Sequence, residues 1–394
     1  MPLETPVIHH AFTSYPDNYK CLHNGLDGRR WERTGVETDI KIGPRRALTK
    51  AFIRGGLSPL EAEKVLQPAE VVAEIRRLIA ESYVLPERRA ELDAALSQEM
   101  SSGRYDVDQP ALLAERVNAD LERVGRDRHL NFRYNPKRVA RMTATIAGST
   151  SDHTAFEREV RCRNHGVHEL KLLCGNVRCL NLGSFDWIGE DSEAVLEAAM
   201  HFLRGGDAVI IDLRRNGGGS PRAVHQVISH FMEAGRPLVT FYRGNDVSPT
   251  FATLPGLSTM VGKPLYVLTS EVTGSAAEEF VGHIAGYGLG EVVGARTSGG
   301  AFMNDVFPIA GQFELSLSVA RPVLASTGGD WERVGIAPTI TTSAAALETA
   351  HVHALRRLAA ATSDPAKRNK LEALAAEVSR TASLEPSPLP DHRS

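Results

Sequence analysis

The chain has 394 residues, 42% of them hydrophobic, and a formal net charge of −3. That is enough apolar material for two or three packed domains at roughly 100–200 residues each. The charge offers no basis for binding nucleic acid or an acidic membrane surface, and no apolar run is long enough to span a bilayer. MPLETPVIHHAFTSYPDNYK does not read as a leader, so a cytoplasmic location is expected.

Residues 1–65 mix Gly, Pro, Arg and His and read as an extension with no clear domain of its own; its basic stretch KIGPRRALTKAFIR reads as a solvated surface. Residues 66–135 read as a small helical bundle. PAEVVAEIRRLIAESYVL puts Val71, Val72, Ile75, Leu78 and Ile79 on one helix face. LPERRAELDAALSQEMSSG gives a second helix ending near Gly103, and DQPALLAERVNADLERVG a third with Asp108 as its N-cap. LNFRY then alternates like a strand.

Residues 136–345 change texture. HELKLLCGNVRCLNLGSF predicts a hairpin around Gly175-Asn176. SEAVLEAAMHFLRGG is a helix with a glycine stop, and DAVIIDLRRNGGGSPRA a buried strand, a glycine-rich turn and a helix from Pro221. RPLVTFYR and KPLYVLTS are strands, AAEEFVGHIAGYG a helix, GEVVG a strand, and VFPIA with QFELSLSVARPVL a late hairpin. Strands alternating with helices imply an α/β core with a largely parallel sheet. Residues 346–383 read as helices and 384–394 as a frayed tail. The four cysteines, Cys21, Cys162, Cys174 and Cys179, form no CxxC pair, so reduced thiols are expected and neither a metal nor a cofactor.

Three stretches could carry chemistry. DLRRNGGGS, Asp212 to Ser220, lets the backbone turn sharply and aim N–H groups at a ligand, although it matches no nucleotide-binding motif. VTGSAAEEF puts Ser275 where a strand gives way to a helix. That position suits an N-cap, and equally a nucleophile with an oxyanion held by the next residue's N–H. GRDRHLNF places His129 between a helix and a strand.

VIIDLRRNGGG, LYVLTSEVTGSAAEEF and GEVVGARTSGG, in that order, resemble the S41 serine peptidases, a family that includes tail-specific proteases, the tricorn core and the interphotoreceptor retinoid-binding proteins. ESYVLPERRAELDAAL, GRYD and DLERVGRDRHLNFRY resemble the helical domain of the retinoid-binding branch, and WERVGIAP the family's late segment. The resemblance covers residues 66 to 345. It implies a ClpP/crotonase-like core preceded by the helical bundle, with no PDZ module.

The resemblance also implies the site. Ser275 matches the nucleophile, and the backbone N–H groups of Gly218 and Ala276 match the oxyanion hole. GARTSGGAFMND contains no lysine, so the Ser–Lys dyad of the tail-specific branch is absent. The tricorn-like alternative is a histidine base with a late glutamate, matched by His129 and Glu332, but Arg128 stands where that branch has a bridging serine. Serine needs such a base at neutral pH, and an imidazole can take the proton and return it to the leaving group. The implied activity is a serine peptidase acting on peptides or protein tails, with homo-oligomerisation left open. Two rivals remain: a non-catalytic binder of an apolar ligand, and a hydrolase or acyltransferase acting on a small metabolite.

Overall fold

Prolines start the first three helices, α1 (Pro68–Ser82), α2 (Pro86–Ser101) and α3 (Pro110–Gly125). Proline's fixed φ suits the first helical position, where its missing N–H removes no bond. The computed structural model describes residues 67–382 apart from 128, 147–150, 245 and 343–344, so the extension over 1–65 and the tail over 384–394 lie outside the described residues. The predicted face of α1, Val71, Val72, Ile75, Leu78 and Ile79, is buried throughout. One cap differs from expectation. Gln109, not Asp108, precedes α3 and makes no side-chain cap bond. Pro110 forces the residue before it into extended backbone, which makes Gln109 the boundary.

After α3 the chain forms β1 (Asn131–Tyr134), α4 (Pro136–Ile146) and α5 (Ser151–Cys162). The hairpin of β2 (Val167–Leu173) and β3 (Val177–Leu182) turns at Gly175 and Asn176, both with positive φ, as the sequence predicts. Then come α6 (Glu190–Arg204), β4 (Ala208–Asp212), α7 (Pro221–Ile228), β5 (Val239–Arg243), β6 (Asp246–Val247), β7 (Leu265–Thr269) and α8 (Ala276–Tyr287). The chain closes with β8 (Glu291–Gly294), β9 (Met303–Ile309), β10 (Phe313–Leu324), β11 (Ile340–Thr341), α9 (Ala346–Ala361) and α10 (Pro365–Ala382).

The main sheet runs β11-β8-β7-β4-β3-β2. Its pairings are parallel except at the β2 edge. Every residue of β4 and β7 is buried, because helices cover both faces. Val209, Ile211 and Val267 pack with Leu196, Val224 and Phe280 from α6, α7 and α8. Ile210, Tyr266 and Leu268 face the other way, toward Ala350, Leu355 and Leu371 of α9 and α10. The period of two along each strand sets this division.

A second, antiparallel sheet is built on β10, which pairs with β1, β5 and β9. The helical bundle shares its core: Ile75, Leu113 and Leu121 join Phe132, Phe313 and Leu315 in one apolar cluster. Phe132 and Phe313 stack at 5.0 Å between ring centroids. This packing anchors the segment that carries His129 to the second sheet.

Candidate active site

Ser275 follows β7 through the turn 270–274 and immediately precedes α8. The turn is stitched to the glycine-rich segment after β4. The Ser270 hydroxyl donates to Arg214 O (2.5 Å), the Thr273 hydroxyl to Leu213 O (2.8 Å) and Gly274 N–H to Asn216 O (3.0 Å). Two sequence segments about 60 residues apart thus form one rigid floor.

The serine is held in an unusual backbone conformation, φ 53° and ψ −124°. Such a conformation costs about 1–3 kcal/mol in a non-glycine residue and persists only when its surroundings impose it. Its N–H donates to Glu278 Oε2 at 2.9 Å, while Glu278 N–H goes to the Ser275 main-chain carbonyl at 2.8 Å.

Glu278 organises what lies opposite. Fully buried, it also accepts from the Thr297 hydroxyl (2.5 Å), the Ser298 hydroxyl (3.3 Å), Gly299 N–H (2.7 Å) and Gly300 N–H (2.8 Å). A buried carboxylate is tolerated when its oxygens are saturated with donors in this way. The sequence reading missed it, although S-x-x-E at a helix start is the available signal.

His129 reaches the same place. A Cβ built on Gly300 would lie 3.1 Å from His129 Cε1, 3.6 Å from its Nε2 and 3.9 Å from Glu278 Oε2. The imidazole and the carboxylate that holds the Ser275 N–H therefore both crowd Gly300. On the other side of the ring, His129 Nδ1 lies 4.0 Å from Asp127 Oδ1, which accepts the His129 N–H at 2.8 Å. Asp127 is 6% exposed. Its second oxygen is buried, as is the hydroxyl of Tyr83. Burial, with the Asp127 charge next, drives the Tyr83 phenol strongly upward from its ordinary value. Asp127 was also missed: a D-x-H triplet carries no signal until the fold turns it toward the ring.

Glu332 is bound elsewhere at this site. Its Oε2 accepts from Ala301 N–H (2.7 Å) and Phe302 N–H (3.2 Å), and its Oε1 is buried with no hydrogen-bond partner. Burial pushes its carboxyl up to about 7; the two N–H groups oppose the rise, and the charges of Asp127 and Asp330 add to it. Arg128, which stands where the tricorn-like branch has a bridging serine, lies outside the described residues.

The two residues expected as oxyanion donors, Gly218 and Ala276, lie side by side. Ala276 opens α8, where an N–H has no intrahelical acceptor. Gly218 abuts it: a Cβ there would lie 2.6 Å from Ser275 Cβ and 3.0 Å from Ala276 N. However, Gly218 N–H donates to Asn216 Oδ1 at 2.9 Å. The glycine is in position, but its donor is engaged within the turn, because Asn216 is fully buried and its Nδ2 is itself anchored on Leu182 O at 3.0 Å.

A cavity of about 120 Å³ opens beside the serine, bordered by Ser275, Ala276, Gly219, Glu279, Met303 and Trp331 among others. Among the described residues no cluster of His, Cys, Asp and Glu is arranged to hold a metal ion. Burial pushes the Cys179 thiol up to about 12.

Residues 176–342 match the model of peptidase family S41, and residues 66–159 match that of the family's N-terminal domain in eukaryotic IRBP. A "Probable CtpA-like serine protease" of Staphylococcus aureus (strain bovine RF122 / ET3-1) is 27% identical over 149 residues, 36% of this chain and 29% of that protein. Its counterpart in Staphylococcus epidermidis is 24% identical over 168 residues, 41% of this chain and 34% of that protein. The chain thus spans about a third of the length of these curated relatives. Among solved structures, a lipoprotein from Streptococcus agalactiae superposes with a TM-score of 0.50 at 14% identity, over 74% of this chain and 97% of that one. At that identity the likeness is one of fold.

Proposed function

We propose, from the premise that the chain belongs to peptidase family S41, that it hydrolyses peptide bonds in peptides or protein tails through an acyl-enzyme on Ser275, and that its core is ClpP/crotonase-like. The observation that carries the reading is the state of Ser275. A non-glycine residue is held at φ 53° at a helix start, and a side-chain-free glycine turn lies against it. A structural cap has no need of that conformation.

In this reading His129 takes the Ser275 proton as Oγ attacks the scissile carbonyl carbon. The C–N bond breaks as His129 returns the proton to the leaving amine. Water then attacks the acyl-enzyme with the same imidazole as base. Asp127, facing the ring at Nδ1, fixes the tautomer and stabilises the imidazolium. Ala276 N–H receives the oxyanion, joined by Gly218 N–H as that donor turns from Asn216. Glu332 holds the 301–302 backbone in place behind the site.

The alternative of an apolar-ligand carrier is not favoured: about 120 Å³ at Ser275 is well below the roughly 300–1,000 Å³ of ligand pockets. A fluorophosphonate probe should label the wild type at Ser275 and leave Ser275→Ala unlabelled. A peptide-library digest then separates a peptidase from an esterase of small metabolites. A folded wild type that neither takes the label nor cuts any library peptide would sink the proposal.

A further inference from the structure

The cavity beside Ser275 has a charged wall that the hydrolytic chemistry does not use. Glu279 lies in the first turn of α8, four residues after Ser275, and both residues border the same cavity. Glu279 is 2% exposed and borders the cavity. Its Oε1 lies 3.0 Å from His225 Nε2 of α7 and 3.5 Å from His283 Nε2 of α8, both buried. Burial acts to raise its carboxyl, and the hydrogen bonds from His225 and His283 outweigh that and hold it below the usual carboxylate range.

The rest of the lining combines apolar side chains with Asn304. Phe241, Met303, Pro221, Pro322 and Trp331 form the walls, and Ser275 and Ala276 stand at the reacting end. A ligand entering from Ser275 would lay a hydrocarbon stem along these walls and bring its tip to the Glu279 side. A cavity of about 150 Å³ accommodates benzene, with six heavy atoms, so one of about 120 Å³ takes roughly five. A lysine side chain has five beyond Cα and an arginine side chain seven.

We propose that this cavity receives the substrate side chain on the acyl side of the scissile bond, and that Glu279 makes it select lysine. The inference rests on Ser275 being the nucleophile of a peptidase. A buried carboxylate costs desolvation, His225 and His283 offset part of that cost, and an entering ammonium adds a further partner of opposite charge. The competing role is structural, with Glu279 only tying α7 to α8 through His225.

The test uses the full chain and a set of matched amide substrates differing only at that side chain: lysine, methionine and glutamate. The wild type should favour lysine over methionine by about tenfold or more in kcat/KM and reject glutamate. Glu279→Gln should bring the lysine-to-methionine ratio to about one. Because the variant touches a buried cluster, a second measurement needs only the wild type. n-Butylammonium should inhibit competitively at concentrations where n-butanol does not. Equal inhibition by the two, or a wild type that favours methionine, overturns the selection. A preference for lysine that survives in folded Glu279→Gln assigns that residue a structural role and overturns it as well. Fluorophosphonate labelling of Ser275 separates these failures from failure of the peptidase reading: with Ser275 labelled, only the pocket is wrong, whereas no label removes both.

Discussion

Gly218 and Ser275 meet with no room for a side chain between them: a Cβ on Gly218 would fall 2.6 Å from Ser275 Cβ, and Gly218 itself sits at φ 116°. Both the contact and the backbone conformation therefore require glycine. Gly218→Ala should lower stability by more than about 1 kcal/mol. It should also cut turnover by about 100-fold, because relieving that 2.6 Å contact would displace the nucleophile by on the order of 1 Å. Denaturant unfolding and steady-state kinetics on the same sample check both. A variant with wild-type turnover would show that the two turns do not need to touch.

Ser275 allows two substitutions whose effects separate chemistry from strain. Ser275→Ala removes the hydroxyl and keeps the strained backbone, and Ser275→Gly removes both. Each should lose turnover by on the order of 10⁶-fold, as nucleophile deletions do in a well-studied serine protease. Ser275→Gly should be the more stable of the two by about 1 kcal/mol, since glycine adopts φ 53° without penalty. Thermal melts of the pair decide. Equal stability would mean that the conformation carries no strain.

The sequence made the parallel sheet legible because its strands are continuous apolar runs bounded by glycine turns, and β4 and β7 are buried on both faces. The helix face from Val71 to Ile79 was legible for the same kind of reason. What the sequence hid are contacts that depend on rotation about a few bonds. Asp108 looked like a cap, but Pro110 set the boundary one residue later. Asp127 faces the His129 ring directly after Arg126, which adopts a left-handed conformation at the end of α3. The bond from Gly218 N–H to Asn216 Oδ1 is a local choice that no residue pattern encodes.

Asp127 and Glu332 differ in what they hold. Asp127 faces the imidazole at 4.0 Å, whereas Glu332 gives one oxygen to the Ala301 and Phe302 N–H groups. If Asp127 sets the tautomer of His129, Asp127→Asn should lower turnover by about 10²–10⁴-fold. Glu332→Gln, which keeps an acceptor for the two N–H groups, should cost less than about tenfold. Kinetics on both variants, with circular dichroism to confirm folding, rank them. The reverse order would make Glu332 the orienting carboxylate, as the resemblance to the tricorn-like branch implies.

Glu332 should also set a pH dependence of stability. Its carboxyl is pushed from the ordinary 4.5 up to about 7 in the folded chain, chiefly by burial, with Asp127 and Asp330 adding like charge. A raised pKa means that the folded state binds this proton more tightly than the unfolded state. The contribution is therefore fully present below about 4.5 and is lost as pH rises through about 7. Across that interval the unfolded chain releases the proton while the folded chain keeps it, so the unfolded state gains relative to the folded one. Glu332→Gln has no proton to lose and still offers an oxygen to Ala301 N–H. The Tm difference, variant minus wild type, should therefore grow more positive between pH 4.5 and about 7, the window set by those two pKa values, and level off above it. Other titrating groups are common to both proteins and largely cancel in the difference. Melting curves for the two proteins at half-unit pH steps test this. A difference that stays flat across the window would mean that the Glu332 carboxyl is already ionised in the fold.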